Sequence, residues 1–200
     1  MSSDVVIKNL SNEDIAEIAK NFLEKHNRTK QIPVPIEEII EIELQIRFIP
    51  VPELKKQFDI EGFISSDFST ITIDNQTFMS YPPNRARFTL AHELRHYVLH
   101  QNIYKEHGVL DIDSFVDFSN GINDKDWRKI ESQAHVFAGY FLMPRDHFRA
   151  VVNELMDGIQ ILSISDLRSI VERISTTFLV SGECAYRQLE KEYNVKDVVI

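Results

Sequence analysis

The feature that most constrains this chain is the sequence HELRH at positions 92–96. Two histidines four residues apart share one face of an α-helix, because four residues advance a helix by roughly 400° and about 6 Å. Glu93 then lies about 100° from that face, beside an ion held by the histidines rather than on it. HExxH on a helix is typical of zinc metalloproteases, in which the histidines bind the metal and the glutamate is the general base.

The residues around HELRH favour a helix. Pro82 and Pro83 exclude regular structure immediately upstream, and Asn84 is a suitable cap. We predict a helix from about 85 to 100 with these residues on its buried face: Phe88, Ala91, Leu94 or Arg95, and Val98. The alternative is a chance meeting of these residue types, which in a chain with seven histidines has a frequency on the order of a few per cent.

A catalytic zinc usually has three protein ligands and keeps a fourth position for water, so a third ligand is required. His100 continues the spacing, but it lies about 12 Å along the helix from His92, too far to share the ion. We interpret His100 as a helix-end residue near the C-terminal dipole. Glu131, on a later Ala-rich helix, is the favoured third ligand. Two alternatives stay open: His135 on the same face binds instead, or Glu131 is an ordinary exposed carboxylate.

The rest of the sequence predicts helices around a small sheet. Capping side chains from Ser11 precede apolar residues at helical spacing, which predicts a helix that ends near His26. A second short helix from about Ile36 is followed by short β-rich pieces, which predict about three strands: 44–49, 62–65 and 70–73. An Ala-rich helix is predicted from 126 to about 142, before Pro144, with later helices that start near 145, 165 and 181.

Two further segments bear on the site. Residues 101–125 show no clear period of apolar residues, and we predict a long loop or lid with at most a short strand. Ile71-Thr72-Ile73 lies shortly before the HELRH helix. We interpret it as an exposed edge strand against which an extended substrate pairs.

Composition bounds the function class. A chain of 200 residues with 43% apolar side chains is long enough for one globular core, or for a core with a small helical appendage. A net charge of −9 opposes direct nucleic-acid binding, because that affinity comes from Lys and Arg that displace counterions. No apolar run approaches the roughly 18 residues of a membrane span, and the N-terminal sequence lacks the pattern of a secretion signal. With a single cysteine, Cys184, we expect a cytoplasmic protein with no membrane contact.

Two separated blocks of sequence resemble the ImmA/IrrE family of metallopeptidases, and the resemblance covers most of the chain. The first block runs from Arg87 to His100 and contains HELRH. The second block consists of Glu131, Ala134, Phe137-Ala138 and Leu142-Met143-Pro144. Two blocks in the right order are a more specific signal than HExxH alone.

The resemblance implies an α+β, zincin-like fold in which a small β-sheet packs on the HExxH helix. It implies that His92, His96 and Glu131 bind Zn²⁺ and that Glu93 is the catalytic base. Family members are associated with site-specific cleavage of repressor proteins. The implied partner is therefore a protein substrate, such as a helix-turn-helix repressor.

The resemblance also divides the chain into a metallopeptidase core, residues 1–148, and a helical C-terminal region packed on it, residues 149–200. The sequence departs from the family pattern at Arg95, where glycine is usual, and at His135, where asparagine is usual. The C-terminal block also lacks the usual Arg-Leu spacing. Arg95, the uncharged Gln133 and the altered C-terminal block support an alternative function, a non-catalytic zinc-containing regulatory module that binds a transcription factor.

The expected chemistry is peptide hydrolysis. Zinc lowers the pKa of a bound water toward about 7, Glu93 removes its proton, and the oxygen attacks the peptide carbonyl. A hydrogen-bond donor to the developing oxyanion is also required. The candidate donors are Tyr97, Tyr140, Arg145 and His147.

Overall fold

A computed structural model describes residues 7–157, 163–193 and 195. The first six residues and several positions of the expected C-terminal region, 158–162, 194 and 196–200, lie outside the described residues. None of the helices formed by the described residues combines the length and hydropathy needed for a bilayer crossing.

The described residues are mostly helical. The helices, in chain order, are α1 (Asn12–His26), α2 (Ile36–Glu38), which continues as a π-helix over Ile39–Glu43, α3 (Leu54–Phe58), α4 (Asn75–Phe78), α5 (Asn84–Leu99), α6 (Gln101–His107), α7 (Ile112–Gly121), α8 (Asp124–Leu142), α9 (Arg145–Met156), α10 (Ile164–Phe178) and α11 (Gly182–Tyr193). Together with the small sheet, they give an α+β fold. The helices expected around HELRH and after position 125 start within about two residues of their predicted positions.

In the described part of the chain, three short strands form one sheet: β1 (Arg47–Val51), β2 (Gly62–Ile64) and β3 (Thr70–Asp74). Their order is β1-β3-β2, with β1 parallel and β2 antiparallel to β3. β1 lies slightly later than the predicted 44–49 and contains Pro50, which an edge strand tolerates because proline donates no hydrogen bond.

The hypothesis that Ile71-Thr72-Ile73 forms an exposed edge strand is wrong. These residues lie in β3, which has a strand on each side, and all three are buried. The polar Thr72 between two isoleucines resembled the pattern of a half-exposed strand. Strand order is a tertiary property, and β1 and β2 each take an edge beside β3.

The prediction of a loop or lid over residues 101–125 is also wrong, because α6 and α7 occupy most of this segment. α7 starts with a reciprocal hydrogen-bonded cap between Asp111 and Ser114. Each helix has at most three turns, so each buries few side chains and leaves little periodic signal. Phe115 and Phe118 fix α7 to the core, and Ile103 and Tyr104 fix α6. Tertiary packing therefore stabilises helices that the sequence pattern alone did not reveal.

α5 lies in the centre of the molecule, between the sheet and α8. Ala91 on α5 and Ala134 on α8 are fully buried, and such small side chains let two helix backbones approach closely. Leu94 and Arg95 are both fully buried, whereas Phe88 and Val98 are half-buried. The predicted buried face of this helix is therefore broadly as observed, with an arginine at its centre.

β2 passes very close to α5 at Gly62. A Cβ atom at this position would lie 3.0 Å from the carbonyl oxygen of Thr72 and 3.1 Å from Cγ2 of Thr89. It would also lie 3.7 Å from Cγ of Glu93. The absence of a side chain at Gly62 therefore lets the strand lie beside the HELRH segment.

Glu61, directly before β2, ties the strand to its surroundings. Its carboxylate accepts hydrogen bonds from Arg85 at the start of α5, from Lys55 on α3, and from Thr89 at 3.3 Å. Burial acts to raise the pKa of Glu61, but the bonds and charges of Arg85 and Lys55 outweigh it and lower the pKa from 4.5 to about 2. The carboxylate is therefore ionised at neutral pH. Its hydrogen bonds to Arg85 and Thr89 hold the start of β2 against α5.

We predict that Gly62→Ala destabilises the protein by about 1–3 kcal/mol, the usual cost of overpacking a tight site. The measurement is the free energy of unfolding in urea. Gly121→Ala is the matched control, because a Cβ atom there meets no heavy atom within 4 Å. Its stability should be unchanged or slightly raised. Equal stability of the two variants would contradict the close packing of β2 on α5.

Candidate metal centre

Two helices supply the candidate metal ligands. HELRH occupies the C-terminal half of α5, and the ring centroids of His92 and His96 are 5.7 Å apart, as helical spacing requires. α8 begins after Asn123, whose side chain accepts a hydrogen bond from the backbone N–H of Asp126 at 3.0 Å. Glu131 follows about two turns later and faces α5.

His92, His96 and Glu131 converge. One potential ligand atom from each lies within 4.8 Å of the other two. Nε2 of His92 is 3.0 Å from Oε2 of Glu131, and Nε2 of His96 is 3.9 Å from Oε1 of the same carboxylate. Two imidazoles and a carboxylate form one of the common ligand sets of catalytic zinc. The chemistry of these donors therefore fits a divalent transition metal.

The protonation states also fit a metal. Burial, followed by the charge of Arg95, lowers the pKa of His96 well below its ordinary value, so the ring is neutral at pH 7. Burial acts to raise the pKa of Glu131, but the hydrogen bond and charge of His92 and the charge of Arg95 outweigh it and lower the pKa. A neutral imidazole and an ionised carboxylate are the forms that bind metals.

Glu93 is buried beside the cluster. Burial raises its pKa from 4.5 to about 7, despite the opposing charge of His92. Its Oε2 atom has no hydrogen-bond partner among the described residues. A carboxyl group with a pKa near neutrality can both accept and donate a proton, which general acid–base catalysis requires.

A buried network lies behind the cluster. Arg95 is fully buried, and its guanidinium donates to the carbonyl oxygen of Ile130 at 2.7 Å, to Nδ1 of His100, and to Nε2 of His96 at 2.8 Å. Nε2 of His100 in turn donates to Oε1 of Gln133 at 2.8 Å. Sequence reasoning missed this network, because it links residues of two helices whose packing is not visible in a local pattern.

The interpretation of His100 as a helix-end residue is correct in position and wrong in its electrostatics. His100 directly follows α5, but burial, followed by the charge of Arg95, lowers its pKa from 6.5 to about 3. The neutral ring gains nothing from the helix dipole as a cation. The ring joins Arg95 to Gln133 by two hydrogen bonds, because Nδ1 accepts from Arg95 and Nε2 donates to Gln133.

His135 lies beside the cluster but outside the group of three converging ligands. Its ring centroid is 5.1 Å from that of His92, in an edge-on arrangement, and 5.7 Å from that of Phe88. Of the predicted oxyanion donors, Tyr140, Arg145 and His147 line a different cavity, formed with α1. Tyr97 packs edge-on against Phe68, with ring centroids 5.6 Å apart.

The cluster borders a groove of about 1080 Å³ between α8 and α11. Glu131 and His135 line one wall, and Arg187 and Lys191 of α11 line the other. The side chain of Glu131 is 27% exposed, so a molecule in the groove can reach its carboxylate.

Comparison with protein families identifies the class of this site. Residues 78–190 match the family model Peptidase_M78, described as the IrrE N-terminal-like domain. The match covers more than half of the chain and includes α5 and α8 with all three converging side chains. The chain belongs to the Peptidase_M78 family. The predicted resemblance to ImmA/IrrE proteins is confirmed, and membership of Peptidase_M78 indicates a metallopeptidase-like role.

Solved structures add a likeness in fold. One similar structure is a Mycobacterium tuberculosis transcriptional regulator, with a TM-score of 0.57 and 16% sequence identity over 94% of this chain. The chain described here spans about half of that regulator, 51% of its length. At this identity the likeness concerns the fold alone. A comparison with curated protein sequences gave no match.

We predict that the purified protein binds one divalent metal ion per chain after dialysis against zinc. His96→Ala should abolish binding, and Glu131→Gln should weaken it by more than the roughly 100-fold that outer-shell changes cause, because a ligand is lost. Metal content by plasma mass spectrometry is the measurement. His135→Ala is the matched control and should bind one equivalent. Loss of metal from that variant, with metal retained by Glu131→Gln, would assign the third ligand to His135.

Proposed function

We propose that this protein is a zinc-dependent endopeptidase with a zincin-like core, which cleaves a regulatory protein at a specific site. The observation that carries the proposal is the convergence of His92, His96 and Glu131 beside the buried Glu93. Membership of a peptidase family supports the same reaction. A helix-turn-helix repressor is the proposed substrate. The cytoplasmic location stays a prediction, as does the division of the chain into a core, residues 1–148, and a helical C-terminal region.

The ligand residues hold the metal in this account, and Glu93 moves the proton. His92, His96 and Glu131 would bind zinc, which when bound supplies an acidified water and polarises the substrate carbonyl. Glu93 takes a proton on its carboxylate and later delivers it to the leaving amine. Its raised pKa, close to 7, suits both transfers at neutral pH.

We propose β2 as the strand that pairs with an extended substrate. The N–H of Asp74 donates to the carbonyl of Glu61 at 2.8 Å, and the N–H of Ser65 donates to the carbonyl of Thr70 at 2.9 Å. Since hydrogen-bonding positions alternate along an antiparallel pair, the backbone groups of Gly62 and Ile64 point away from β3.

Among the described residues β2 has no strand on the side away from β3, but Phe63 and Ile64 are buried, so a substrate could pair with this edge only after the groups that cover it move. A Cβ atom at Gly62 would lie 3.7 Å from Cγ of Glu93, so β2 lies directly beside the Glu93 side chain. A peptide added along this edge would therefore run past the catalytic carboxylate. This proposal replaces the hypothesis that Ile71–Ile73 receives the substrate. We also propose His135, next to His92, as the donor to the substrate carbonyl in place of Tyr140, Arg145 and His147.

A regulatory module without turnover is the second candidate function. The observation in its favour is the contact between Arg95 and Nε2 of His96, which involves a nitrogen that the metal would use. Such a module would capture a transcription factor and leave it intact. Intact-mass spectrometry of the partner after incubation separates the two functions, because an endopeptidase yields two fragments whose masses sum to the substrate plus one water.

We predict that Glu93→Gln lowers the rate of cleavage of a candidate repressor by roughly 10²- to 10⁴-fold, the usual contribution of general acid–base catalysis. Zinc content should stay at the wild-type level, because Glu93 is not a ligand in this account. The control is Glu106→Gln, which changes an exposed glutamate on α6 and should leave the rate unchanged. Unchanged turnover in Glu93→Gln would refute the role of Glu93 as base.

A further inference from the structure

Arg95 is an unusual neighbour for a metal ligand. Its side chain is fully buried, and its nearest carboxylate oxygen in this cluster, Oε1 of Glu131, is 3.9 Å from Nη2. Nε of Arg95 has no hydrogen-bond partner among the described residues. An arginine guanidinium keeps its positive charge at neutral pH. A buried positive charge therefore lies against a group of residues suited to bind a cation.

The contact with His96 uses the atom that a metal would need. A neutral imidazole has one acceptor nitrogen, and a guanidinium is only a donor. In the 2.8 Å contact between Nη2 of Arg95 and Nε2 of His96, the imidazole lone pair therefore accepts the hydrogen bond. A metal–nitrogen bond at Nε2 requires the same lone pair. Arg95 in this position and a metal ion on Nε2 of His96 exclude each other.

Nη2 also lies against a second ligand. Oε1 of Glu131 is 3.9 Å from Nη2 of Arg95 and 3.9 Å from Nε2 of His96. The guanidinium thus interacts with two of the three converging residues. Its positive charge and its N–H donors partly take the place of a bound metal ion. It compensates the ionised Glu131 and holds His96 neutral in a fixed orientation.

Arg95 also has hydrogen-bond acceptors outside the ligand group. Its other terminal nitrogen, Nη1, donates to the carbonyl oxygen of Ile130 at 2.7 Å and to Nδ1 of His100. Neither of those acceptors belongs to the ligand group. A metal ion on the ligand group therefore competes with Arg95 only for the Nη2 contact and not for these two acceptors.

We propose that Arg95 is a built-in competitor of the metal: its guanidinium holds His96 until a divalent ion displaces it. The charge and the contested lone pair both raise the metal concentration at which the centre fills. Arg95 is in this sense a positioning residue that acts through His96 and makes occupancy conditional on metal supply. The inference rests on the proposed metal centre.

The test is the zinc dissociation constant of the full chain, measured by competition with a chelator of known affinity. Arg95→Met removes the charge and the donor and should bind zinc roughly 10- to 100-fold more tightly than wild type, the range typical of outer-shell changes. Arg95→Gln keeps a donor without the charge and should show a smaller gain. An affinity of Arg95→Met equal to or weaker than that of wild type overturns the proposal.

Arg87→Met is the matched control. Arg87 is a second buried arginine on α5, which donates to the carbonyl oxygen of Val34 at 2.8 Å and pairs with Glu37 at 3.3 Å. It has no contact with the metal ligands, so its variant should bind zinc as wild type does. A gain of affinity in both arginine variants would reflect general loosening of α5 and would count against Arg95.

A second measurement uses only the wild-type protein and covers the case in which Arg95 variants fail to fold. With ¹⁵N-labelled arginine, zinc addition should shift the terminal nitrogen signals of Arg95 and leave those of Arg87 in place. Unshifted Arg95 signals at full zinc occupancy overturn the proposal. If neither wild type nor any variant binds zinc, the proposed metal centre itself fails, whereas zinc binding with no effect of Arg95 refutes only this inference.

Discussion

The packing of α5 against α8 is the interaction on which the rest of the site depends. Helix geometry alone fixes His92 relative to His96, but Glu131 lies 35 residues later in the sequence (131 minus 96). It reaches the histidines because α8 packs on α5, and each of these helices carries a fully buried small side chain, Ala91 and Ala134. The same contact buries His96, which lowers the pKa of its imidazole, and brings Glu131 close to His92 and Arg95, which lower the pKa of its carboxyl group.

Within the residues that the structure describes, the site places polar groups in the core without hydrogen-bond partners, which ordinary hydrophobic cores avoid. Among the described residues, the buried polar atoms without a partner include Oε2 of Glu93, Nε of Arg95 and Nδ1 of His96, all within HELRH. Buried charges and unpaired polar atoms cost stability, and proteins retain them mainly at functional sites. The close passage of β2 at Gly62 serves the same site, because it brings an edge strand of the sheet against the side chain of Glu93.

Local signals in the sequence predicted the parts of the molecule that local physics determines. The HExxH spacing, the prolines before Asn84 and the Ala-rich run gave α5 and α8, and two motif blocks gave the family. Strand order, the short helices over 101–125 and the bonds of Arg95 depend on residues far apart in sequence, so no local pattern revealed them. Arg95 was visible as a departure from the family pattern, but its contact with His96 was not.

The most direct test of the central claim is X-ray absorption spectroscopy of the zinc-loaded protein. The account predicts a zinc shell of nitrogen and oxygen atoms at about 2.0–2.2 Å, with the scattering signature of two imidazoles and no sulfur. Zinc that does not bind, or a shell with one or three imidazoles, would contradict the assignment of His92, His96 and Glu131 as the metal ligands.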